Sequence, residues 1–596
     1  MADQQTSSSS TTPAGTLAET PAVMMADRLA RVRARMAEVG VDVLVVRSTD
    51  TFLNEYVPDA VSTRRWLTGF TGSMGDAIVT STALHLVVDG RYTLQASQEV
   101  PSSTVTTSLT GIEVGWLGLL KEIAVGKKVG VESERVSLGL MRTCGERASA
   151  DGWVLLPLAT SPVDEVRRAM DPAPALDGRI WAIDPALSGR TVQERVALGA
   201  PVLQTHSLDG FVVCALDELA WIANLRGDQF PYQATFRGRG LVTQTALRLA
   251  LDGTVSGDRA TESAIDVVTD IAAGLAPGTR LGVDPATTTH ATAQALIDRG
   301  AILVEVPSPW AVLRTKKTPA ELAHMQAAFA RADAVVDEVQ HWLARELKKN
   351  HPVTEADVAA QTEARFRKSG AFGLSFKVIS AAGKNGAVIH YSTPDETRRI
   401  VPGELFLLDT GAYYEGGYAT DLTRTFLAGP STTKASREQK RLYTLVLKAA
   451  IAGMSARVPV GVTGEQLDAL VRDPLWRHGL DYGHGTGHGV GVNVHEAPPS
   501  IRMGARGTVE PGQVFSIEPG VYLPAWGGVR IENLCTVVDD DVEPPVGVPR
   551  RFLRVKPLTF SPLDNRLIDR PLLTDHEKRF LAWFKRKGRS PLPPTA

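Results

Sequence analysis

Residues 405–426 read LFLLDTGAYYEGGYATDLTRTF, and the fold of the last third of the chain depends on how that stretch is read. Apolar runs of strand character flank the turn signal Glu415-Gly416-Gly417, whose glycines tolerate positive φ. An acid sits in each arm, Asp409 and Asp421. A hairpin centred on Glu415 would set these two acids opposite each other on adjacent strands. Cross-strand neighbours lie about 4.5 to 5.5 Å apart, close enough to share one metal ion.

Working outward, residues 514–537 read VFSIEPGVYLPAWGGVRIENLCTV and add Glu518 and Glu532, each at the end of an apolar run. A carboxylate placed in such surroundings costs several kcal/mol, on the order of a lost ion pair, unless it is compensated. Arg424 and Arg530 are close in sequence, but two side chains do not neutralise four acids. Two divalent ions would. The set of four carboxylates, one imidazole and no thiolate favours Mn²⁺ or a similarly hard ion. Such a pair, about 3.5 to 4 Å apart, shares and acidifies a hydroxide and polarises a carbonyl, which leads to hydrolysis.

The imidazole comes from residues 481–498, DYGHGTGHGVGVNVHEAP, which hold His484, His488 and His495. The spacing of His484 and His488 matches a helical zinc pair, yet Gly485, Gly487 and Gly489 would each cost a helix about 1 kcal/mol. The segment therefore reads as strand or loop. In an extended chain His484, Thr486 and His488 share one face, and the glycines let backbone approach the other.

Upstream, helix starts are written plainly. Thr318-Pro319-Ala320-Glu321 is a capping box, and Thr354 to Asp357 resembles a second; Ser436 to Gln439 and Thr463 to Gln466 repeat the pattern. Asp409 to Glu518 spans 109 positions and Asp421 to Glu532 spans 111. Two helices followed by acid-bearing strands thus occur twice, with His390 expected on a strand of the first copy. This predicts a pseudo-symmetric domain over 308–570 with its site between the halves, and a C-terminal helix and tail over 571–596.

The 596 residues exceed a single core. Residues 1–23 read as a disordered Ser/Thr/Ala-rich tail without a signal-peptide pattern. Alternating strand and helix patterns predict an α/β domain over 24–160 and a second over 161–307. The Gly-rich RRWLTGFTGSMGDA lacks a phosphate-loop pattern and reads as tight turns. Neither region shows a catalytic constellation, which assigns them to substrate positioning or oligomer building. A net charge of -2 with 22% charged residues recommends neither nucleic acid nor a membrane surface as partner. The basic run KRFLAWFKRKGR reads as a solvated helix face and tail. Three scattered cysteines, Cys144, Cys214 and Cys535, argue for a reducing compartment without disulfides.

The motifs LLDTGAYY, TDLTRT, HGTGHGVG with VHE, SIEPG and RIEN together resemble the metal-ligand motifs of the pita-bread metallopeptidases, in particular the three-domain aminopeptidase P group. NEYVP, RRWLTGFTGS and DGRYTLQA resemble that group's first domain, VVCALDELAWIANLRG its second, and KPLTFSPLDNRLID with LTDHEKRFLAWF its end. The resemblance implies two creatinase-N-like α/β domains before a pita-bread catalytic domain, in an α/β and α+β multidomain chain.

It also implies roles. Asp409 would bind one metal, Asp421 and Glu532 would bridge both, and His488 and Glu518 would complete the ligands of the second metal, with Glu518 taking the nucleophile's proton. His390 and His495 would contact substrate and the developing oxyanion. Arg530 would face substrate or else support a carboxylate, Arg91 would contact peptide or else form a surface salt bridge, and His484 would serve in support or proton transfer.

The implied activity is removal of the N-terminal residue from peptides with proline second, in a cytoplasmic homodimer with two divalent ions per chain. Prolidase-like dipeptidase action and a non-catalytic protein-binding module are the alternatives. Two departures from the group stand out. Twelve positions separate the first two aspartates where the group usually has one fewer, and the segment GVGVNVHE is two residues shorter than its usual counterpart.

Overall fold

The computed structural model describes residues 21–102, 105–109, 115–256, 264–540, 551–586 and 592–594. Most of the expected N-terminal tail lies outside them, and the first helix, Pro21–Glu38, takes in the last residues of that expectation.

Val43–Val46 is buried along its whole length, as expected of a strand covered on both faces. It lies inside a six-stranded mixed sheet, antiparallel to Asp76–Thr80 on one side and parallel to Lys128–Glu132 on the other. Gly210–Val213 holds the same place in a second six-stranded sheet, antiparallel to Gly238–Val242 and parallel to Arg280–Val283. The strand order and orientations of the two sheets correspond throughout. One α/β design is therefore used twice. The stretch GLVTQTALRLALDG, expected as one strand, is a hairpin: Thr243 closes a turn to Ala246, and Gly238–Val242 pairs back on Leu247–Leu251. Alternating apolar residues run through both arms, so periodicity alone hid the turn.

All four expected capping boxes form, opening helices Pro319–Lys348, Glu355–Lys368, Arg437–Met454 and Gly464–Trp476. The first pair precedes a three-stranded sheet of Ile379–Ala382, Leu405–Thr410 and Leu422–Leu427. The second precedes a six-stranded sheet that contains Gly487–Gly489, Val514–Ile517 and Asn533–Asp539. The two halves meet where Glu532 N, just before Asn533–Asp539, donates to Thr423 O at 3.2 Å, and where Arg530 N of the two-stranded ribbon Gly520–Leu523 and Gly527–Arg530 donates to Thr425 Oγ1 at 3.0 Å.

The basic C-terminal run is only partly a solvated face. In the helix Asp575–Lys585, Phe580, Trp583 and Phe584 are buried against the core around the helices Arg437–Met454 and Gly464–Trp476, and the lysines are exposed. The three cysteines are free and buried.

Candidate metal centre

Asp409 lies in the strand Leu405–Thr410, and Asp421 immediately precedes Leu422–Leu427. Their pairing differs from the expected one. Asp409 stands opposite Thr423, so the acids are diagonal rather than opposite. The cause is the turn: Gly417 N bonds Tyr414 O, Tyr413 bridges Ala419, and the hairpin centres on Gly416 instead of Glu415. Gly416 and Gly417 adopt φ of 89° and 65°, conformations that a Cβ would strain. Diagonal neighbours sit on one face of the sheet, so both carboxylates still reach a common space.

Glu518 follows the strand Val514–Ile517, and Glu532 lies between Gly527–Arg530 and Asn533–Asp539. His488 lies in Gly487–Gly489. The glycines act as expected, since a Cβ on Gly487 would fall 1.9 Å from Ser516 O. Thr486 does not share the histidines' face: its hydroxyl turns to Asp468 at 2.5 Å and is fully buried. Asp468 and Arg472 of the neighbouring helix form an ion pair there, a pull that a plain alternation argument omits. His390 sits in a turn after the short helix Gly383–Ala387, not on a strand, because the glycines of GKNG break the extended run.

These groups converge. Asp421, His488 and Glu532 each offer a ligand atom within 4.8 Å of the others. His488 Nε2 is 3.5 Å from both Asp421 Oδ2 and Glu518 Oε1. Asp409, Asp421 and Glu532 are buried and Glu518 is partly so.

Compensation by the protein is thin. Arg530 gives Asp409 Oδ2 one hydrogen bond at 2.6 Å, while Asp409 Oδ1 is buried with no hydrogen-bond partner among the described residues. Thr423 donates to Glu532 at 2.8 Å. Arg424 spends its guanidinium on the carbonyls of Thr423, Glu532 and Ser561 and touches none of the four carboxylates. Burial and mutual repulsion accordingly raise Asp421 and Glu518 well above ordinary carboxylates and push Glu532 up to about 7. Burial takes His488 down to about 3, which leaves a neutral imidazole. An oxygen-rich, under-neutralised set with one neutral nitrogen and an orphaned carboxylate oxygen fits hard divalent cations.

The centre opens into a cavity of about 920 Å³ that also includes residues from the first sheet's domain, among them Glu55, Tyr56, Arg91 and Tyr92. Tyr92 OH bonds His390 Nδ1 at 2.8 Å. Glu55 accepts from His495 Nδ1 at 2.6 Å; burial opposes its ionisation, but His495 and Arg91 outweigh that and hold its pKa at about 2. His484 Nε2 bonds Tyr522 OH at 2.9 Å, and burial brings this imidazole to about 3.

Arg530 is 1% exposed and bonded to Asp409, Tyr522 and Thr423, so its geometry is that of a carboxylate support. Arg91 lines the cavity and is held by Asp89 at 2.8 Å. Glu55 and Tyr92, although inside the quoted motifs NEYVP and DGRY, were not singled out by sequence. Only their contact with histidines some 300 to 440 positions away shows their use.

This fold around this cluster defines a metal-dependent peptidase. The model of metallopeptidase family M24 matches residues 323–539, and two models of the creatinase/prolidase N-terminal domain match 28–168 and 171–321. A probable Xaa-Pro aminopeptidase P of Neosartorya fischeri is 33% identical over 96% of this chain and 90% of its own length. One of Blastomyces gilchristii is 34% identical over 93% of this chain and 94% of its own. A crystal structure of X-prolyl aminopeptidase from Caenorhabditis elegans, described as a cytosolic enzyme with a di-nuclear active site, superposes with a TM-score of 0.84. It is 27% identical and covers 94% of this chain and 95% of that one. The chain belongs to the Xaa-Pro aminopeptidase P family of M24 metallopeptidases, and is by class a metalloexopeptidase. The expected architecture, two creatinase-N-like domains before a pita-bread catalytic domain, is the one found.

Proposed function

We propose that this chain removes the N-terminal residue from peptides with proline at the second position, using two divalent ions, most simply Mn²⁺. The observation that carries the reading is the cluster of buried, poorly neutralised carboxylates at the cavity floor. The relatives' names and the di-nuclear centre of the nematode enzyme support it. In this proposal Asp409, Asp421, His488, Glu518 and Glu532 would together hold the two ions. When bound, the ions would supply Lewis acidity and a water acidified enough to attack at neutral pH through a shared hydroxide.

The chain's own groups do the rest. Glu518, partly exposed to the cavity, accepts the proton of the attacking water. His390 is neutral, since burial and the cations Arg91 and Arg530 hold its pKa well below the usual value. With Nδ1 accepting from Tyr92, its remaining proton is on Nε2, where it can donate to a carbonyl oxygen gaining charge. His495, oriented by the ionised Glu55, presents Nε2 to the same space, and His484 steadies Tyr522 beside Arg530. Arg91 contacts the peptide from the first domain. Arg530 acts through Asp409 rather than on substrate.

Division at 24–160, 161–307 and 308–570, a cytoplasmic site of action and a homodimer belong to the same proposal. Among the described residues no helix is long and apolar enough to cross a membrane.

Metal-reconstituted protein offered Arg-Pro-Pro, Arg-Ala-Pro and an Xaa-Pro dipeptide, with products weighed by mass spectrometry, tests the reading. Release of arginine from Arg-Pro-Pro alone is expected. Cleavage of the dipeptide only would make the protein prolidase-like. No bound metal and no turnover on adding Mn²⁺, Co²⁺ or Zn²⁺ would make it a binding module.

A further inference from the structure

Five cations line the cavity, Arg64, Arg65, Arg91, Lys377 and Arg502. Arg64 is spent on the carbonyls of Phe70 and Gly72, Arg65 on Asp59, Arg91 on Asp89 and Arg502 on Met503 O. Lys377 differs from these four in making no hydrogen bond or ion pair with any described residue. The acids that act on it from a distance are already engaged. Asp59 is the partner of Arg65, and Glu99 takes donors from Thr71 and Gln95. Its side chain is exposed to the cavity, where it is free to meet a substrate anion.

The backbone places this lysine with respect to the carboxylates. Ile379 is the register partner of Asp409. Val378 is buried in the core below, while Lys377 and Ile379 on either side of it both line the cavity. Lys377 lies two residues before Ile379, which opens the strand Ile379–Ala382, and so at most about 7 Å from it along the chain at roughly 3.3 Å each. A peptide running extended through the cavity advances by the same step in two residues. If it runs from the carboxylates toward Lys377 with its first residue level with Asp409, its third residue comes level with Lys377.

We propose that Lys377 binds a carboxylate at the third residue of the substrate, so that this cavity favours Xaa-Pro-Yaa peptides whose third residue carries a free C-terminus or an acidic side chain. The inference rests on the aminopeptidase reading above. A charge-assisted hydrogen bond of this kind is worth about 1.5 kcal/mol or more, on the order of tenfold in affinity.

The test compares metal-reconstituted wild type, Lys377→Met and Lys377→Arg on Ala-Pro-Ala, its C-terminal amide, and Ala-Pro-Asp amide. Wild type is expected to prefer the free acid, the aspartyl amide or both over the neutral amide by about tenfold in kcat/KM, mainly through KM. Lys377→Met brings those ratios near one, and Lys377→Arg restores them. A preference for the free acid alone identifies the chain terminus as the source of the carboxylate, and for the aspartyl peptide alone the side chain. Equal ratios in wild type and Lys377→Met, or no preference in wild type, overturns the role of Lys377 while leaving the aminopeptidase intact. If wild type cleaves none of the three although it binds metal, the aminopeptidase reading itself falls, and this inference with it.

Discussion

Glu355 and the cluster at Asp409, Asp421, Glu518 and Glu532 lie in the same domain, and all but Glu518 are almost wholly buried. Glu355 is saturated. It accepts from Ala382 N at 2.6 Å, Asn385 Nδ2 at 3.0 Å, Tyr391 OH at 2.8 Å and Asp395 N at 2.9 Å. Across the cluster, by contrast, one arginine reaches one carboxylate, and an oxygen of Asp409 has no hydrogen-bond partner among the described residues. A carboxylate surrounded by neutral donors is a structural joint: Glu355 ties the start of a helix to the loop that carries His390. Carboxylates crowded together with so few donors are held in their charged form only if positive charge arrives from outside. Burial is common to both, and the supply of donors separates them.

The strongest way to break that contrast is Glu518→Gln. The substitution keeps the shape and removes the proton acceptor, so kcat should fall about 10³-fold, within the range for a general base. The melting temperature should change little. Retained turnover in a steady-state assay would remove the assigned role.

Glu355→Ala should show the opposite pattern. Four donors lose their shared acceptor, at a cost of about 3 kcal/mol read by denaturant unfolding. Bound metal, measured by elemental analysis, should stay at the wild-type level while kcat falls through the loosened His390 loop. Metal loss equal to the activity loss would place Glu355 with the ligands.

An intermediate case sharpens the comparison with a smaller effect. Glu132 in the first domain is 2% exposed, accepts from Ser161 and has Arg135 at 3.5 Å, but its second oxygen has no hydrogen bond. Burial outweighs these contacts and raises its pKa from 4.5 to about 7. A folded-state pKa above the unfolded one means that stability is present below pH 4.5 and is lost as pH rises through about 7. Glutamine does not ionise. Relative to wild type, Glu132→Gln should therefore gain stability between pH 5 and 8, by about 2 kcal/mol. Melting curves across that range check it, and a constant difference would contradict the burial argument.

Much of the site was legible because the chemistry is written in residue types. Acids at the ends of apolar runs and histidines among glycines announce a metal centre without any contact map. The geometry was less legible. Counting from Asp409 to Asp421 put the turn at Glu415, but the positive φ of Gly416 and Gly417 moved it by one position and changed opposite acids into diagonal ones. His390 looked like a strand residue because nothing near it in sequence reveals that Glu355 gathers its loop. Arg530 reads first as a substrate-side arginine, with support of a carboxylate as the alternative, and its hydrogen bonds to Asp409 and Tyr522 favour the alternative.

The sequence by itself determined the helix starts, the repeated order of helices and acid-bearing strands, and the residue types that gather at the candidate centre. These are set by local propensity and by the cost of burying charge, which act over a few residues. Only the tertiary structure decided which acids are saturated and which are not, that Glu55 and Tyr92 reach across from the first domain to His495 and His390, and that Lys377 has no hydrogen-bond or ion-pair partner among the described residues. Hydrogen-bond satisfaction is a property of neighbours in space, and here those neighbours are hundreds of positions apart.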